Sequence, residues 1–421
     1  MSAQPYFTVI IAAFNAARWI VSTVRSALAQ TYRDFEIVVV GDGCTDATGA
    51  ILESSFGDAI RWKNLDRNHG SQWFPNNEGI RLARGSHIAY LGHDDVWSPR
   101  HLDALAELIR AQDPDFAVSG AVCHGPPGSM HYEITGMFDD AAAAHVEFFP
   151  PSSFAHKKLV VERIGAWRDP REVRPPVDCE FLLRAASERC TFASTRTLTV
   201  HKFAAGHRYL SYRFPSGAEQ ERMLDRLGSP EGESAVLREI ESEIANGADH
   251  APIRYPDFSR YPAGYFFHRI RRTKGLEAPP PVRIDRPLRL PVESFAAGLD
   301  WYDLETGPEQ KPFRWSGPNP NPRHLVNVRV RGRFALRLHV LGFARRSFAD
   351  ALAIEIDGRQ TSFVRDRNPD GTHVLTIGPV SGPVENGLVL GFRLPRCARL
   401  SQVDARRAGL ALSSVEVIPV T

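Results

Sequence analysis

The chain has 421 residues, of which 43% are hydrophobic and 24% are charged, and its formal net charge is +2. The chain is longer than one ordinary hydrophobic core accommodates, so two or three domains are predicted. The composition is typical of a globular protein. The nearly balanced charge argues against a nucleic-acid partner, because such a partner is usually bound by a strongly basic surface.

Residues 1–215 alternate between strand-like and helix-like segments. Four strands are predicted at Phe7–Ala13, Phe35–Val40, Ala59–Leu65 and His87–Leu91. The first two runs lack polar alternation, which is typical of parallel strands covered on both faces. Apolar residues at helical spacing follow them, with Asn15 as the predicted cap of the first helix and a second helix after Thr45. This pattern predicts an α/β domain with a mostly parallel sheet and helices on both faces.

An acidic pair, Asp94 and Asp95, follows the fourth predicted strand. Ser98 and Pro99 come next, and together they predict a helix start, because serine caps helices and proline suits the first helical position. The two carboxylates are therefore expected on a loop at the carboxyl end of a strand, where open α/β sheets bind ligands. Adjacent carboxylates there can hold a divalent cation through oxygen ligands.

Residues 216–285 change in character. The stretch 216–247 is acidic and carries apolar residues at helical spacing, whereas 254–274 is basic and interleaved with aromatic residues. Ala278-Pro279-Pro280-Pro281 predicts a stiff linker. A helical linker region is therefore expected here.

From residue 286 onward, apolar residues recur at every second position. Val326–Val330 and Leu336–Val340 alternate, and Asp357-Gly358 is a hairpin-turn signal. These features predict an all-β sandwich. The expected domains are 1–215 (α/β), 216–285 (helical linker) and 286–421 (β-sandwich).

The five cysteines are odd in number and share no close spacing. A disulfide framework or zinc site is therefore not expected, and a reducing cytoplasm fits. The chain enters a strand pattern at Phe7 without a signal-peptide pattern. No apolar run approaches the roughly 20 residues that a spanning helix needs. A cytoplasmic protein is expected, with peripheral contact at the inner face of a membrane as an open alternative.

Several runs in the first half of the chain resemble family 2 inverting glycosyltransferases, which have the GT-A fold, a Rossmann-like α/β arrangement. These runs are Thr8–Asn15, Ala29–Glu36, Val39–Asp46, Asn77–Gly85 and Tyr90–Pro99. The resemblance implies a nucleotide-sugar donor, a divalent metal (Mn²⁺ or Mg²⁺) and transfer to a glycan or lipid-linked acceptor.

The resemblance also implies roles for individual residues. The nucleotide-sugar-binding set is Ala13, Phe14, Asn15, Asp42, Asn77, His93, Asp94, Asp95 and Lys202, and the metal ligands are Asp94 and His201. Within this set, Asp42 would accept a hydrogen bond from the imide N–H of a uracil or thymine base, since a carboxylate only accepts. Asp94 would hold the metal that neutralises the leaving diphosphate.

Asp178 is the implied general base, because Val177–Arg184 resembles the family's acidic segment at the start of a helix. Three departures from the family pattern stand out: Gly41 and Gly92 replace aspartates that the family often carries, and Val177 replaces a glutamate. Gly92 removes one potential carboxylate contact from the metal site.

Each of these residues also has an ordinary structural interpretation. Asp42 suits a turn, and Asp94 with Asp95 suits a solvated loop before a helix, where negative charge is favourable. Asp178 suits a helix cap, and His201 suits a hydrogen-bonded core position. The Gly41-Asp42-Gly43 run follows the second strand and lacks a third glycine, which argues against a nicotinamide-dependent enzyme.

Two aromatic regions also have alternative interpretations. The basic aromatic stretch 254–274 fits either a membrane surface or a solvated helix packed on the α/β domain. Residues 298–305 and 313–315 resemble a β-sandwich appended to some bacterial glycosyltransferases. Trp301, Trp315 and Arg314 would either bind a glycan or pack the sandwich, with Glu305 pairing with Arg314.

The predicted function is that of a metal-dependent inverting glycosyltransferase, which uses a UDP- or dTDP-sugar in surface polysaccharide synthesis. The alternative is a non-catalytic nucleotide- or glycan-binding protein on a degenerate scaffold, for which Gly41 and Gly92 are the motivating residues. Donor sugar, acceptor and oligomeric state are not specified by the sequence.

Overall fold

The computed structural model describes residues 4–139, 147–203, 205–251, 253–292, 300–307 and 310–420. The chain forms two compact units. The first unit comprises Met1–His124, Tyr132–Ala204 and Pro215–Ile270, and the second comprises Gly125–His131, Ala205–Phe214 and Arg271–Thr421. The three-part division at 215 and 285 stays a prediction.

The first unit is an α/β domain. Its strands are β1 (Phe7–Ala13), β2 (Phe35–Gly41), β3 (Arg61–Asn64), β4 (His87–Tyr90), β5 (Val96–Trp97), β6 (Phe116–His124), β7 (His131–Thr135), β8 (Phe154–Lys157), β9 (Phe192–Lys202) and β10 (Asp249–Ala251). Its helices are α1 (Ile20–Leu28), α2 (Thr48–Phe56), α3 (Trp73–Leu82), α4 (His101–Gln112), α5 (Val160–Ile164), α6 (Val177–Ser187), α7 (Ala218–Leu227) and α8 (Pro230–Ala245). Helix α9 (Tyr265–Lys274) runs from the first unit into the second.

The sheet of this unit has the strand order β10-β7-β6-β8-β4-β1-β2-β3. Strands β3, β2, β1 and β4 are parallel to one another, whereas β8 enters antiparallel between β4 and β6. Strand β9 pairs parallel with β6 and antiparallel with the short β5. The predicted α/β class is confirmed, with a parallel half that contains β1, β2 and β4 and a mixed half beyond β4.

The apolar runs account for the centre of this sheet. Six of the seven residues of β1 are buried, and the last five residues of β2 are buried. The β-branched side chains of these strands are covered on both faces, as a central parallel strand requires. Side chains of Ile10, Tyr90 and Phe116 join Trp167 and Phe181 in one core cluster beside the sheet.

The predicted start of α4 is wrong. The helix begins at His101, and its N-cap residue, Arg100, makes no side-chain capping bond. Ser98 is buried instead, and its N–H donates to the carbonyl of Thr199 (2.8 Å). The chain therefore continues the β5–β9 pairing through Ser98 before it turns into the helix.

The second unit contains two antiparallel sheets. The larger has the order β13-β14-β25-β17-β21-β20, with β12 also paired to β25, and the smaller has the order β15-β22-β18-β19. Their strands are β12 (Leu288–Pro291), β13 (Glu305–Thr306), β14 (Pro312–Trp315), β15 (Arg323–Val326), β17 (Arg333–Phe343), β18 (Ala353–Ile356), β19 (Arg359–Thr361), β20 (Phe363–Arg367), β21 (His373–Val380), β22 (Leu388–Arg393) and β25 (Leu410–Val420). The remaining elements are the strand pairs β11 (Val282–Arg283) with β16 (Val328–Arg329) and β23 (Ala398–Arg399) with β24 (Arg407–Ala408), and the short helix α10 (Phe348–Ala351).

Side chains from both sheets form one apolar core, which confirms the predicted β-sandwich. Leu336 and Leu338 of β17 contribute from one sheet, and Ile354 of β18 and Leu390 of β22 contribute from the other. The predicted hairpin turn Asp357-Gly358 joins β18 to β19.

The aromatic motif of the sandwich packs internally. Trp301 is 1% exposed and donates to the carbonyl of Arg323 (2.8 Å). Arg314 is buried and donates to two backbone carbonyls. The expected Glu305–Arg314 pair is wrong, because Glu305 pairs with Arg406 (2.7 Å). Gly298 and Leu299 of the motif lie outside the described residues.

All five cysteines are free. Among the described residues, no helix is both long and apolar enough to span a lipid bilayer.

Candidate active site

Three loops meet at the carboxyl ends of β1, β2 and β4. Because β1 pairs in parallel with both neighbours, Ala13 lies opposite Gly41, and Ile10 lies opposite Tyr90. The loop segments 13–15, 42–46 and 91–95 therefore leave the sheet at one edge, where open α/β sheets bind ligands.

Direct hydrogen bonds join these loops. The N–H of Asp42 donates to the carbonyl of Ala13 (2.7 Å), and His93 Nδ1 lies 3.0 Å from the carbonyl oxygen of Ala12. The Asn15 side-chain oxygen accepts from the N–H of Thr45 (2.9 Å). The edge is therefore one connected surface, to which Phe14, half-buried, also contributes.

Asn15 does not cap α1, contrary to the expectation. The N-cap position of α1 is Trp19, which makes no side-chain capping bond. Asn15 has a φ of 43°, a left-handed conformation that asparagine tolerates better than most residues. This conformation lets its amide oxygen bind the β2–α2 loop instead.

Asp42 is buried, and its carboxylate is fully engaged. Oδ1 accepts from the N–H of His69 (2.8 Å) and lies 3.0 Å from His69 Nδ1, while Oδ2 accepts from the N–H of Gly70 (3.0 Å) and Asn68 Nδ2 (3.1 Å). Burial raises the pKa of this carboxyl, against the lowering effect of those hydrogen bonds. Asp42 therefore holds the 68–70 segment in place, and its contact with a nucleobase stays a prediction.

His69 is the residue of this region that sequence reasoning missed. Its ring stacks on Phe74 with a centroid separation of 3.7 Å and an interplanar angle of 4°. The only local signal is the Asn68-His69-Gly70 run, which reads as an ordinary turn. Its link to Asp42 depends on how two loops fold against each other.

Asp95 is the buried member of the acidic pair. Its side chain is 0% exposed and forms an ion pair with Lys202 Nζ at 2.9 Å. It also accepts from Ser152 Oγ and from the N–H of Phe203 (3.3 Å). The Lys202 ammonium is thus directed at the acidic loop, and Asp95 anchors this loop to the end of β9.

Asp94 is half-buried, and its carbonyl accepts from Gln220 Nε2 (3.0 Å). Its neighbour Gly92 leaves room for the arrangement. A Cβ at position 92 would lie 2.6 Å from Asp95 Oδ2 and 3.3 Å from Asp94 Oδ1. The loop with its buried Asp95 is therefore built around a glycine at this position.

Gly41, the other glycine at a position where the family often has aspartate, also lies in close contact with its neighbours. A Cβ at Gly41 would lie 2.4 Å from Asn64 Oδ1 and 2.5 Å from the ring of Trp62. Asn64 is itself bonded to the 42–46 loop, since its Oδ1 accepts from the N–H of Cys44 (2.9 Å). Side chains from β3 fill the space that a residue larger than glycine would need.

Asn77 is bound to the backbone of Trp167. Its Nδ2 donates to the Trp167 carbonyl (2.9 Å), and its Oδ1 accepts from the Trp167 N–H (2.9 Å). Both polar groups of the side chain are used in this clamp. Asn77 therefore links α3 to the segment before α6, and its contact with the nucleotide stays a prediction.

Asp178 lies in the first turn of α6, where its Oδ1 accepts from the N–H of Cys179 (2.9 Å). The helix packs through Phe181 on Trp167, with ring centroids 4.4 Å apart. Trp167 Nε1 in turn donates to the hydroxyl of Tyr90 (3.0 Å), the last residue of β4. This chain of contacts connects α6 to the strand that leads into the acidic loop.

His201 faces away from the acidic loop. It is 1% exposed, and its Nδ1 lies 3.1 Å from His124 Nε2. Burial lowers the pKa of His201 to about 4. Since Lys202 points at Asp95, and neighbouring residues of a strand face opposite sides, the geometry does not support His201 as a ligand at Asp94.

The described residues bring together no set of three or more histidine, cysteine or acidic side chains that could hold a metal ion. A magnesium site needs no such set, because Mg²⁺ is often held by one or two carboxylates together with substrate phosphates and water. Asp94 is the carboxylate of the described loop that fits this use, since Asp95 is occupied by Lys202.

Comparison with known proteins matches residues 8–133 to glycosyl transferase family 2. An uncharacterised glycosyltransferase of Nostoc sp. is 36% identical over 174 residues, which cover 37% of this chain and 52% of that protein. The succinoglycan biosynthesis protein ExoO of Rhizobium meliloti is 40% identical over 114 residues, covering 27% of this chain and 32% of ExoO. The chain thus spans about half or less of the length of these relatives.

Among solved structures, S. aureus TarS aligns with 99% of this chain and 86% of its own, at 11% identity and a TM-score of 0.39. TarS 1-349 in complex with UDP-GlcNAc aligns with 47% of this chain and 58% of its own, at 21% identity and the same TM-score. The matched family segment contains the three loops described above. Residues 8–133 of this chain, which include these loops, are therefore similar to glycosyl transferase family 2.

Proposed function

We propose that this protein is an inverting glycosyltransferase, which moves a sugar from a UDP- or dTDP-sugar to a hydroxyl group of a glycan or lipid-linked glycan. One observation carries the proposal: the family match at residues 8–133 coincides with the edge where the loops of β1, β2 and β4 meet. ExoO, by its name a polysaccharide biosynthesis protein, supports a polysaccharide product.

The nucleoside end of the donor would bind between the loops of β1 and β2. Ala13, Phe14 and Asn15 supply one wall, and the 68–70 segment held by Asp42 supplies another. In this arrangement Asp42 acts through His69 and Gly70, because its own oxygens are engaged. His93 links the acidic loop to β1 and would lie beside the ribose.

The diphosphate would bind at Asp94 together with Mg²⁺ or Mn²⁺. Bound there, the ion would neutralise charge on the departing nucleotide. Lys202 adds a fixed ammonium group 2.9 Å from Asp95, beside the same loop. His201 is left out of this proposal because of its orientation.

Asp178 would act as the general base. Its carboxylate would take the proton from the acceptor hydroxyl as that oxygen forms a bond to the anomeric carbon, while the bond from this carbon to the diphosphate oxygen breaks. A single displacement from the opposite face inverts the anomeric centre through an oxocarbenium-like transition state. The reducing cytoplasm, where five free cysteines are stable, is the proposed site of action.

Donor binding tests this proposal directly. The melting temperature is measured with UDP, dTDP and a panel of their sugars, with and without Mn²⁺, and turnover is followed as nucleotide release. A ligand at about 100 times its Kd stabilises the folded state by about 2.7 kcal/mol. We expect Asp94→Asn to lose the Mn²⁺-dependent part of this shift, while Asp58→Asn, at an exposed position after α2, retains it.

Two outcomes contradict the proposal. If no nucleotide or nucleotide-sugar raises the melting temperature, the site does not bind a donor. If nucleotides bind but no donor in the panel is turned over or hydrolysed, the protein is a non-catalytic nucleotide-binding protein on this scaffold. The second result would favour the alternative function.

A further inference from the structure

A group of aromatic side chains lies in the chain segment before and at the start of α9. We define the aromatic cluster as Tyr255, Phe258, Tyr261, Tyr265 and Phe266. Its rings contact one another in sequence: the centroid separations are 6.1 Å for Tyr255–Phe258, 5.5 Å for Phe258–Phe266, 4.9 Å for Tyr261–Phe266 and 4.7 Å for Tyr261–Tyr265. The cluster is continuous.

Backbone contacts hold this segment against the chain that precedes α6. The N–H of Gly264 donates to the carbonyl of Val173 (3.0 Å), and a side-chain nitrogen of Arg174 donates to the carbonyl of Ser259 (3.3 Å). Helix α6 begins only a few residues later, at Val177, and carries Asp178 in its first turn. The aromatic cluster is therefore fixed beside the end of α6 that presents the proposed base.

Tyr255 is the first member of the aromatic cluster along the chain. Its side-chain hydroxyl is buried and has no hydrogen-bond partner among the described residues. Burial raises the pKa of Tyr255, and the negative charge of Asp178 raises it further. The phenol therefore keeps its proton, and its O–H group can donate a hydrogen bond to an acceptor atom of a ligand.

A buried donor without a partner costs free energy, so its persistence beside a reaction centre suggests a ligand that satisfies it. The cluster also changes in exposure along its length. Phe266 is buried at 8% exposure, whereas Tyr265 is 39% exposed. The charge of Asp178 acts on Tyr255 at one end of the cluster, and Tyr265 at the other end reaches solvent.

We propose that the aromatic cluster is the acceptor subsite and binds a carbohydrate chain, with Tyr255 donating to the sugar whose hydroxyl is presented to Asp178. Rings of tyrosine and phenylalanine offer flat apolar faces to the C–H faces of sugars, and phenol groups supply hydrogen bonds. Tyr265 and Tyr261 contact sugar units farther along the chain. The inference rests on the proposed glycosyl transfer and names its acceptor class.

The test uses the full chain on a printed array of neutral and acidic oligosaccharides. We expect the wild type to bind at least one glycan, Tyr265→Ala to lower that affinity about tenfold, and Tyr255→Phe to lower it about fivefold, as the loss of one ring contact or one hydrogen bond predicts. Ile270→Ala is the matched control, because Ile270 is similarly exposed (38%) on the same helix. Its affinity should equal that of the wild type.

Donor binding is measured in parallel on the same variants, as the UDP- or dTDP-dependent rise in melting temperature. An unchanged rise in Tyr265→Ala together with weakened glycan binding supports the inference. Glycan binding that depends on Tyr265 without any donor binding supports a carbohydrate site and contradicts the proposed transfer.

Other results overturn the inference. The inference is wrong if the wild-type protein binds no glycan on the array. It is also wrong if the Tyr255 and Tyr265 variants bind glycan as tightly as Ile270→Ala does. Binding of the wild type to vesicles containing an anionic phospholipid, lost in Tyr265→Ala while glycan binding is unaffected, would assign the cluster to a membrane surface instead.

Discussion

Asp178 and Asp94 are held in different ways, and the difference separates their proposed roles. Asp178 sits in the first turn of a helix, where partial positive charge favours an ionised carboxylate. Asp94 sits on a loop whose other carboxylate is neutralised by an internal lysine. A substitution at Asp178 should therefore affect proton transfer, and a substitution at Asp94 should affect donor binding.

Asp178→Asn tests the assignment of Asp178 as the general base, because the asparagine side chain has nearly the same shape as the aspartate side chain. Since a positioned general base contributes about 100- to 10,000-fold in rate, we expect kcat for sugar transfer to fall within that range. Donor affinity, measured by titration with UDP or dTDP and Mn²⁺, should change by less than about twofold, a free-energy difference of about 0.4 kcal/mol. Glu188→Gln, at the exposed end of the same helix, is the control. Transfer at the wild-type rate by Asp178→Asn would refute the assignment.

At the scale of elements, Trp167 joins three of them. Its backbone is clamped by Asn77 of α3, its ring stacks on Phe181 of α6, and its Nε1 donates to Tyr90 of β4. Its position therefore determines how α6 and its Asp178 are oriented relative to the sheet. The clamp is a structural connection between the helix of the proposed base and the strand that precedes the acidic loop.

Asn77→Ala should weaken this connection. The substitution leaves the N–H and carbonyl of Trp167 without their side-chain partner, and we expect a loss of about 2 kcal/mol in the free energy of unfolding. Denaturant unfolding measures this loss. Asn246→Ala, at the exposed end of α8, should change stability by less than about 0.5 kcal/mol. An equal effect of the two substitutions would contradict the structural role of Asn77.

The elements themselves were largely predictable. The bounds of β1 agree with the apolar run Phe7–Ala13, and β2 and β4 differ from their predicted bounds by one residue. Continuous apolar runs and alternating runs are local signals, so they appear in the sequence directly. The capping roles of Asn15 and Ser98 were predicted wrongly, because each residue is bound by a distant segment, at Thr45 and at Thr199.

The convergence of the three loops was predictable, but the contacts of their side chains were not. The convergence of three loops follows from parallel pairing of their strands. The partners of Asp42, Asn77 and Asp95 lie 27, 90 and 107 residues away in the chain, and no local pattern encodes such contacts. The predicted ion pair between Glu305 and Arg314 was wrong for the same reason.

At the scale of the whole molecule, several histidines are buried without charge. Burial lowers the pKa of His101 to about 3 and the pKa values of His156 and His201 to about 4, whereas a histidine in the unfolded chain titrates near 6.5. Between about pH 4 and 6.5 the unfolded state therefore binds more protons at these residues. Their contribution to the free energy of unfolding falls as the pH falls through this window.

His156→Gln isolates one of these contributions. We expect its unfolding free energy to depend less steeply on pH than that of the wild type, by about 1.4 kcal/mol per pH unit between pH 4 and 6.5. The comparison cancels the opposite effect of Asp42 and Asp95, whose pKa values are raised by burial in both proteins. Identical slopes for His156→Gln and the wild type would contradict the expectation.

The buried Asp95–Lys202 pair has a kinetic consequence for the proposed reaction. Lys202 compensates the negative charge of Asp95. The loop therefore presents little more than the single negative charge of Asp94 to a divalent ion that is not bound to a nucleotide. An ion already complexed by a nucleoside diphosphate brings most of its own ligands with it. The metal and the nucleotide-sugar should therefore bind as one preformed complex rather than one after the other.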